Sequence, residues 1–145
     1  MSHMNAIDLM AIEWACEKLC RQYALSSDVS DYEAIVDLFI ENGLFIRPTM
    51  PDVEIKGQTE ILAAFMKRPP IVVQHQINNC VVDVHSATEA SGICTLSFLM
   101  APGTDQPLPR VGGAIHFGEF RDRFALTDSG WKFTERRGRM LLKSA

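Results

Sequence analysis

The sequence predicts an α+β domain in which helices cover one face of a curved, mixed or antiparallel sheet. Two observations carry that prediction. Apolar positions recur at intervals of three and four up to Arg68, whereas from Ile71 onward they alternate. Turn-forming clusters (SATE, APGTDQPLP and TDSG) then divide the alternating half into four long segments. Helices first and long strands afterwards is the order of a sheet with helices on one face, not of alternating βα units.

The first helix is expected over Asn5 to Leu25, where Ile12, Cys16, Leu19, Cys20 and Tyr23 mark one apolar face. The polar run SSDVSDY ends it. Ser30 followed by Glu33 has capping-box spacing, which predicts a second helix from Asp31 to Glu41 that stops at Asn42-Gly43. In this reading Asp31 is a first-turn acid favoured by the helix dipole. LFIRP reads as a short strand, and GQTEILAAFMKR as a third helix closed by Pro69 and Pro70, which cannot continue it. The strands are expected at Ile71–His85, Ala90–Met100, Val111–Ala125 and Trp131–Leu141. The glycines of GGAIHFG fall inside the third of these and read as a bulge or bend.

The chain has 145 residues, 47% of them hydrophobic and 22% charged, an ordinary composition for one globular domain. No internal repeat or linker divides it. The opening MSHM resembles an expression-tag remnant, so residues 1–4 and with them His3 are set aside, and a single domain is read over 5–145. With 14 basic against 18 acidic residues the net charge is −4 and no basic stripe exists, which argues against nucleic-acid partners. There is no membrane-length apolar run and no secretory leader pattern, so the expectation is a soluble, cytoplasmic protein without a membrane partner. Cys16, Cys20, Cys80 and Cys94 form no CxxC pair and are expected as small buried groups, without disulfides and without a metal.

His75 raises the chemical question. In VVQHQINN it shares a face with Val73 and Ile77, so a titratable ring stands on the side expected to be buried. The stretches LCRQYALSSDVSDYEAIVDLFIENGLF, VVQHQINN and GEFRDRF…SGWKFTERR together resemble the NTF2-like fold. Within it they resemble the SnoaL-like branch that includes scytalone dehydratases and hexachlorocyclohexane dehydrochlorinases. The resemblance covers about Ala6 to Arg139 and implies a cone-shaped cavity between three N-terminal helices and the sheet. It further implies that His75 is a general base and that Asp28, in SSD, orients it. A carboxylate on one imidazole nitrogen fixes the tautomer and leaves the other nitrogen free to take a proton. A loop aspartate followed by Ser30 and Asp31 has a plainer reading as turn or capping chemistry.

The resemblance has departures. Ser27 stands where the dehydratase has a tyrosine next to its aspartate, and Tyr23 where the dehydrochlorinase has a lysine. Tyr23 and His116 are expected to contact substrate, and Arg123 falls near a leaving-group arginine of the dehydrochlorinase. Phe39, Phe45 and Phe98 are expected as apolar lining, with Phe65, Met50 and Met100 as further candidates and Arg47 at the cavity mouth or in solvent. Arg136, Arg137 and Arg139 read as a solvated edge or an inter-subunit patch.

The reading that follows is a cofactor-independent, dehydratase-like lyase acting on a small hydrophobic cyclic or aromatic molecule, self-associated as a homodimer or homotrimer through the sheet's outer face. Two alternatives stay open. One is a non-catalytic binding or partner subunit, as the β subunits of ring-hydroxylating dioxygenases are. The other is a polyketide cyclase or ketosteroid-isomerase-like enzyme, which needs a carboxylate base deep in the cone. Asp83 and Asp122 are the strand acids available for that role, and which face each takes is open.

Overall fold

The structure, a computed structural model, describes residues 3–103 and 105–142. Of the residues set aside as a tag remnant, Met1 and Ser2 lie outside the described residues, as do the last three of the expected domain. Three helices lead into the sheet: α1 (Ala6–Asp28), α2 (Tyr32–Asp37) and α3 (Gln58–Met66). The strands are β1 (Phe39–Ile46), β2 (Ile55–Lys56), β3 (Ile71–Val84), β4 (Glu89–Pro102), β5 (His116–Thr127) and β6 (Gly130–Leu142). They form one sheet in the order β2-β1-β6-β5-β4-β3. All pairs are antiparallel except β1 with β6, so the sheet is mixed. Register shifts in the β1–β6, β3–β4 and β5–β6 pairs bend it.

Helix α1 starts on a reciprocal cap: Asn5 Oδ1 accepts from the Asp8 amide at 2.9 Å, and Asp8 Oδ2 accepts from the Asn5 amide at 3.2 Å. Its buried positions, Cys16, Leu19, Cys20, Tyr23, Ala24 and Ser27, follow one helical face onto the sheet. The phenylalanines of the sheet and α3 complete the core. Phe39, Phe45, Phe65, Phe120, Phe124 and Phe133 are almost wholly buried and stack or tilt on one another at 5.2–6.3 Å between centroids.

The second helix differs from its expectation at both ends. Asp31, not Ser30, is its N-cap, with Oδ1 accepting from the Ala34 amide at 3.1 Å, while Ser30 turns the chain at φ 58°. The helix ends at Asp37, and Asn42-Gly43 lies inside β1 instead of closing the helix. Pairing wins here: the Phe133 amide donates to Leu38 O at 2.8 Å, so the apolar run LFIENGLFI is drawn onto β6 immediately after one and a half helical turns. Gly43 suits the tight path, because a Cβ there would meet Ile40 O at 3.1 Å.

Strand β5 begins at His116, five residues later than expected, leaving Gly112 and Gly113 in the preceding loop and not in a bulge. Phe98 is the last β4 residue paired with β5, and beyond it β4 pairs only with β3 up to Pro102. The segment before His116 therefore has no sheet partner.

One charged residue runs against expectation. Arg136 is 0% exposed, with its guanidinium carbon 3.9, 4.4 and 4.5 Å from the ring centroids of Phe120, Tyr23 and Phe133. Only Arg137 and Arg139 of the expected basic edge are at the surface, where they pair with Glu54, Glu135 and Glu119. The cause is a bulge. Arg123 pairs with Glu135 but Phe124 with Phe133, so the extra residue Thr134 flips the alternation and sends Arg136 inward with Phe133. Asp122 is buried as well, 3.5 Å from Arg136 Nε.

Candidate active site

A pocket opens where α1, α3 and the concave face of the sheet converge. Helix α1 contributes Tyr23 and Ser27, the turn after β1 contributes Arg47, Pro48 and Thr49, and α3 with its exit contributes Phe65 and Arg68. The sheet supplies Val73 and His75 from β3, Leu96, Phe98 and Met100 from β4, and Phe120 from β5. The enclosed volume is about 100 Å³, within about 560 Å³ of empty space that includes the mouth. An apolar cavity of roughly 150 Å³ takes up benzene. The enclosed part is smaller than that, so a small ring would fill it and extend into the space at the mouth.

The end of α1 and the start of β3 meet at Asp28 and His75. His75 Nδ1 lies 2.6 Å from Asp28 Oδ1. The carboxylate accepts three further bonds: the His75 backbone amide reaches its two oxygens at 3.0 and 3.1 Å, and Gln74 Nε2 donates to Oδ2 at 3.1 Å. Asp28 is thus held by β3 itself and does not cap α2. Both side chains are 11% exposed. Burial pushes the His75 imidazole below its ordinary pKa of 6.5, against the upward pull of the Asp28 hydrogen bond and charge. At neutral pH the ring is neutral. With Nδ1 on the carboxylate, Nε2 is the nitrogen left to exchange a proton.

The other expected site residues divide. Tyr23 and Phe98 line the pocket, and burial pushes the Tyr23 phenol up despite Arg136, Arg68 and Arg47, so it stays a neutral hydrogen-bond donor. Phe98 bridges two histidines across the sheet: it pairs with His75 and with His116, at 5.4 and 5.0 Å between ring centroids. His116 is therefore on the concave face but behind Phe98, outside the pocket wall. Phe39 and Phe45 are core residues that do not reach the pocket. Arg123 is on the outer face, its side chain 74% exposed and 3.9 Å from Glu135, because alternation from Asp122 turns it away from the helices. Met50 is exposed and outside the lining, whereas Phe65 and Met100 belong to it.

Several lining residues were not expected as such, among them Pro48, Thr49, Leu96 and Phe120; Ser27 and Arg68 had no assigned role, and Arg47 was undecided between mouth and solvent. Ser27 Oγ is buried in the pocket wall without a hydrogen-bond partner. Arg68 follows α3 in a segment with no periodicity, where nothing in the sequence signals which way a side chain turns. Among the described residues one group has metal-ligand spacing, the Sγ atoms of Cys20, Cys80 and Cys94, all within 4.8 Å of one another. Three thiolates suit a soft ion such as Zn²⁺. They lie beneath α1, apart from the pocket lining, and Cys20 Sγ is 3.5 Å from Asp122 Oδ2.

Over residues 9–137 the chain matches the SnoaL-like domain, and it belongs to that family. Solved structures of the same fold agree along nearly the whole chain. A provisionally assigned scytalone dehydratase from Novosphingobium aromaticivorans superposes with a TM-score of 0.79 at 20% identity, covering 96% of this chain and 89% of that one. Hexachlorocyclohexane dehydrochlorinase LinA-type3 from Novosphingobium barchaimii gives 0.78 at 15% identity, covering 97% and 93%. An NTF2-like protein with a cystatin-like fold, also from N. aromaticivorans, gives 0.69 at 20% identity over 90% and 82%. At these identities the likeness is one of fold. No curated protein matches the chain in sequence. No helix of the described residues is long and apolar enough to cross a membrane.

Proposed function

We propose that this chain is a cofactor-independent lyase, dehydratase-like, in which His75 removes a proton from a small cyclic or aromatic substrate and Asp28 orients it. The observation that carries the reading is the 2.6 Å contact between Asp28 Oδ1 and His75 Nδ1 at the wall of an apolar pocket. Nε2 takes the proton from a carbon next to the leaving group, the C–H electrons form the new double bond, and the leaving group departs with its electron pair. A departing hydroxyl then needs a proton, and in this reading the neutral Tyr23 phenol, which lines the same pocket, supplies it. The imidazolium that forms is stabilised by the Asp28 carboxylate in a poorly screened setting.

Among the described lining residues there is no carboxylate, which disfavours the ketosteroid-isomerase-like alternative. Asp122, a buried acid of β5 on the same face as Phe120 and Phe124, is engaged by Arg136 and Cys20 outside the pocket wall. A purely binding role is disfavoured by the three further donor contacts that hold Asp28 in place behind the ring. The test is a screen of cyclic alcohols and halides for elimination, with His75→Ala as control. Turnover by the wild type alone is expected; equal turnover by both proteins, or none by either across the panel, contradicts the lyase.

A further inference from the structure

Among the described residues six arginines, on α1, β5 and β6, have an acid within 4.0 Å. Arg47 and Arg68, which line the pocket, have none among the described residues. Both guanidiniums lie against one ring, 5.3 and 5.6 Å from the Phe65 centroid. Arg47 donates from Nη2 to Ala64 O at 2.6 Å, satisfying an orphan carbonyl of the last turn of α3. Its Nε is buried without an acceptor. The two cations also disfavour each other: burial and then the charge of Arg68 push the Arg47 pKa down. An uncompensated charge pair of this kind is costly unless something of opposite sign enters.

Among the described residues the carboxylate beside the pocket is Asp28, and it is saturated by His75 and Gln74. Arg136 has Asp122 3.5 Å from its Nε and is screened from the pocket by Tyr23 and Phe120. The pocket thus presents an apolar floor at Phe98 and Phe120, a base at His75, and an unmatched double positive charge beside Phe65. Arginine forks match planar two-oxygen anions, and aromatic walls match a ring.

We propose that the substrate is a small aromatic or cyclic carboxylate, whose carboxylate is held by Arg47 and Arg68 while its ring reaches Phe98 and His75. This rests on the lyase reading for what happens to the ring, but the binding claim stands apart from it. An exposed pair of lysines would bind anions of any shape; here the small enclosed volume demands that ring and anion be short and joined.

The test is calorimetric titration with benzoate, with benzamide as its neutral isostere, and with inorganic phosphate. A charge-assisted contact is worth about 1.5–3 kcal/mol, so benzoate should bind at least about tenfold tighter than benzamide. R68Q should remove that advantage and leave benzamide unchanged. Because Arg47 also caps α3, R47K is compared with R47Q: the lysine variant should keep part of the benzoate preference and melt as the wild type does. H75A should still bind benzoate. Equal binding of benzoate and benzamide, absence of binding by either, or a preference unaffected by R68Q overturns the proposal. Phosphate binding tighter than benzoate and lost in R68Q overturns it in favour of phosphate esters. Loss of turnover in H75A with benzoate binding untouched by R68Q would keep the lyase reading and sink this one.

Discussion

His75 is held neutral by its surroundings and aimed by one bond. Burial is the largest influence on its proton and lowers its pKa below 6.5; Asp28 opposes, and Arg68 and Arg136 add to the lowering. Protonation removes the lone pair, so kcat/KM should be flat near neutral pH and fall on the acid side through a pKa below 6.5. Asp28→Asn removes the influences that raise the pKa, so that limb should move to lower pH while the rate drops by about 10²–10⁴ through loss of the tautomer. His75→Ala should lose a similar factor in turnover and change stability by less than about 1 kcal/mol, read by urea titration. At this scale much was legible. Alternation from Val73 puts the His75 ring on the concave face, and the resemblance singled out Asp28. Arg68 was not legible, since its direction depends on how the chain leaves α3 toward Pro69 and Pro70. Arg123 misled because the resemblance put it near the cavity, whereas strand alternation turns it to the face opposite Phe120, Asp122 and Phe124.

Elements explain the largest error, which concerns Arg136. Strict alternation along β6 separates Phe133 from Arg136, and the bulge at Thr134 reunites them on one face. A bulge leaves little trace in sequence, so a buried cation looked like part of a basic edge. Asp122, by contrast, is two residues from both Phe120 and Phe124, and strand period alone puts all three on the same side. Its removal is informative. Asp122→Ala would leave the Arg136 guanidinium buried without a counter-charge and should destabilise the fold by about 3–5 kcal/mol. The double variant Asp122→Leu/Arg136→Met should recover most of that loss in chemical denaturation. Additive losses would mean that the aromatic cage, not the ion pair, sets the stability. The position of Arg47 depends similarly on β6: a Cβ at Gly138 would come within 2.6 Å of Pro48 N, so Gly138→Ala should displace the end of β1 and weaken ligand binding along with stability.

The whole molecule sorts its faces by function. Helices and concave sheet enclose the pocket, while the outer face carries the cross-strand row Val81, Ile93, Arg121 and Arg137, in which two exposed apolar residues adjoin charged ones. Self-association through that face is a proposal, tested by sedimentation of Ile93→Glu: a wild type heavier than the monomer and a variant at the monomer, with thermal stability kept, support it, and equal sedimentation of the two contradicts it. The meander of β3 to β6 was legible because unbroken alternation sets in after Pro69 and Pro70. The parallel pairing of β1 with β6 was not, since it joins segments about ninety residues apart, which no local pattern specifies. The central claim concerns one proton on one ring. It can be read without a substrate, by ¹⁵N-detected NMR titration of the His75 imidazole. The expected result is a proton on Nδ1, an unprotonated Nε2 at neutral pH and a pKa below 6.5, with the tautomer preference lost in Asp28→Asn. An Nε2-protonated ring, or one that titrates above 6.5, would contradict it.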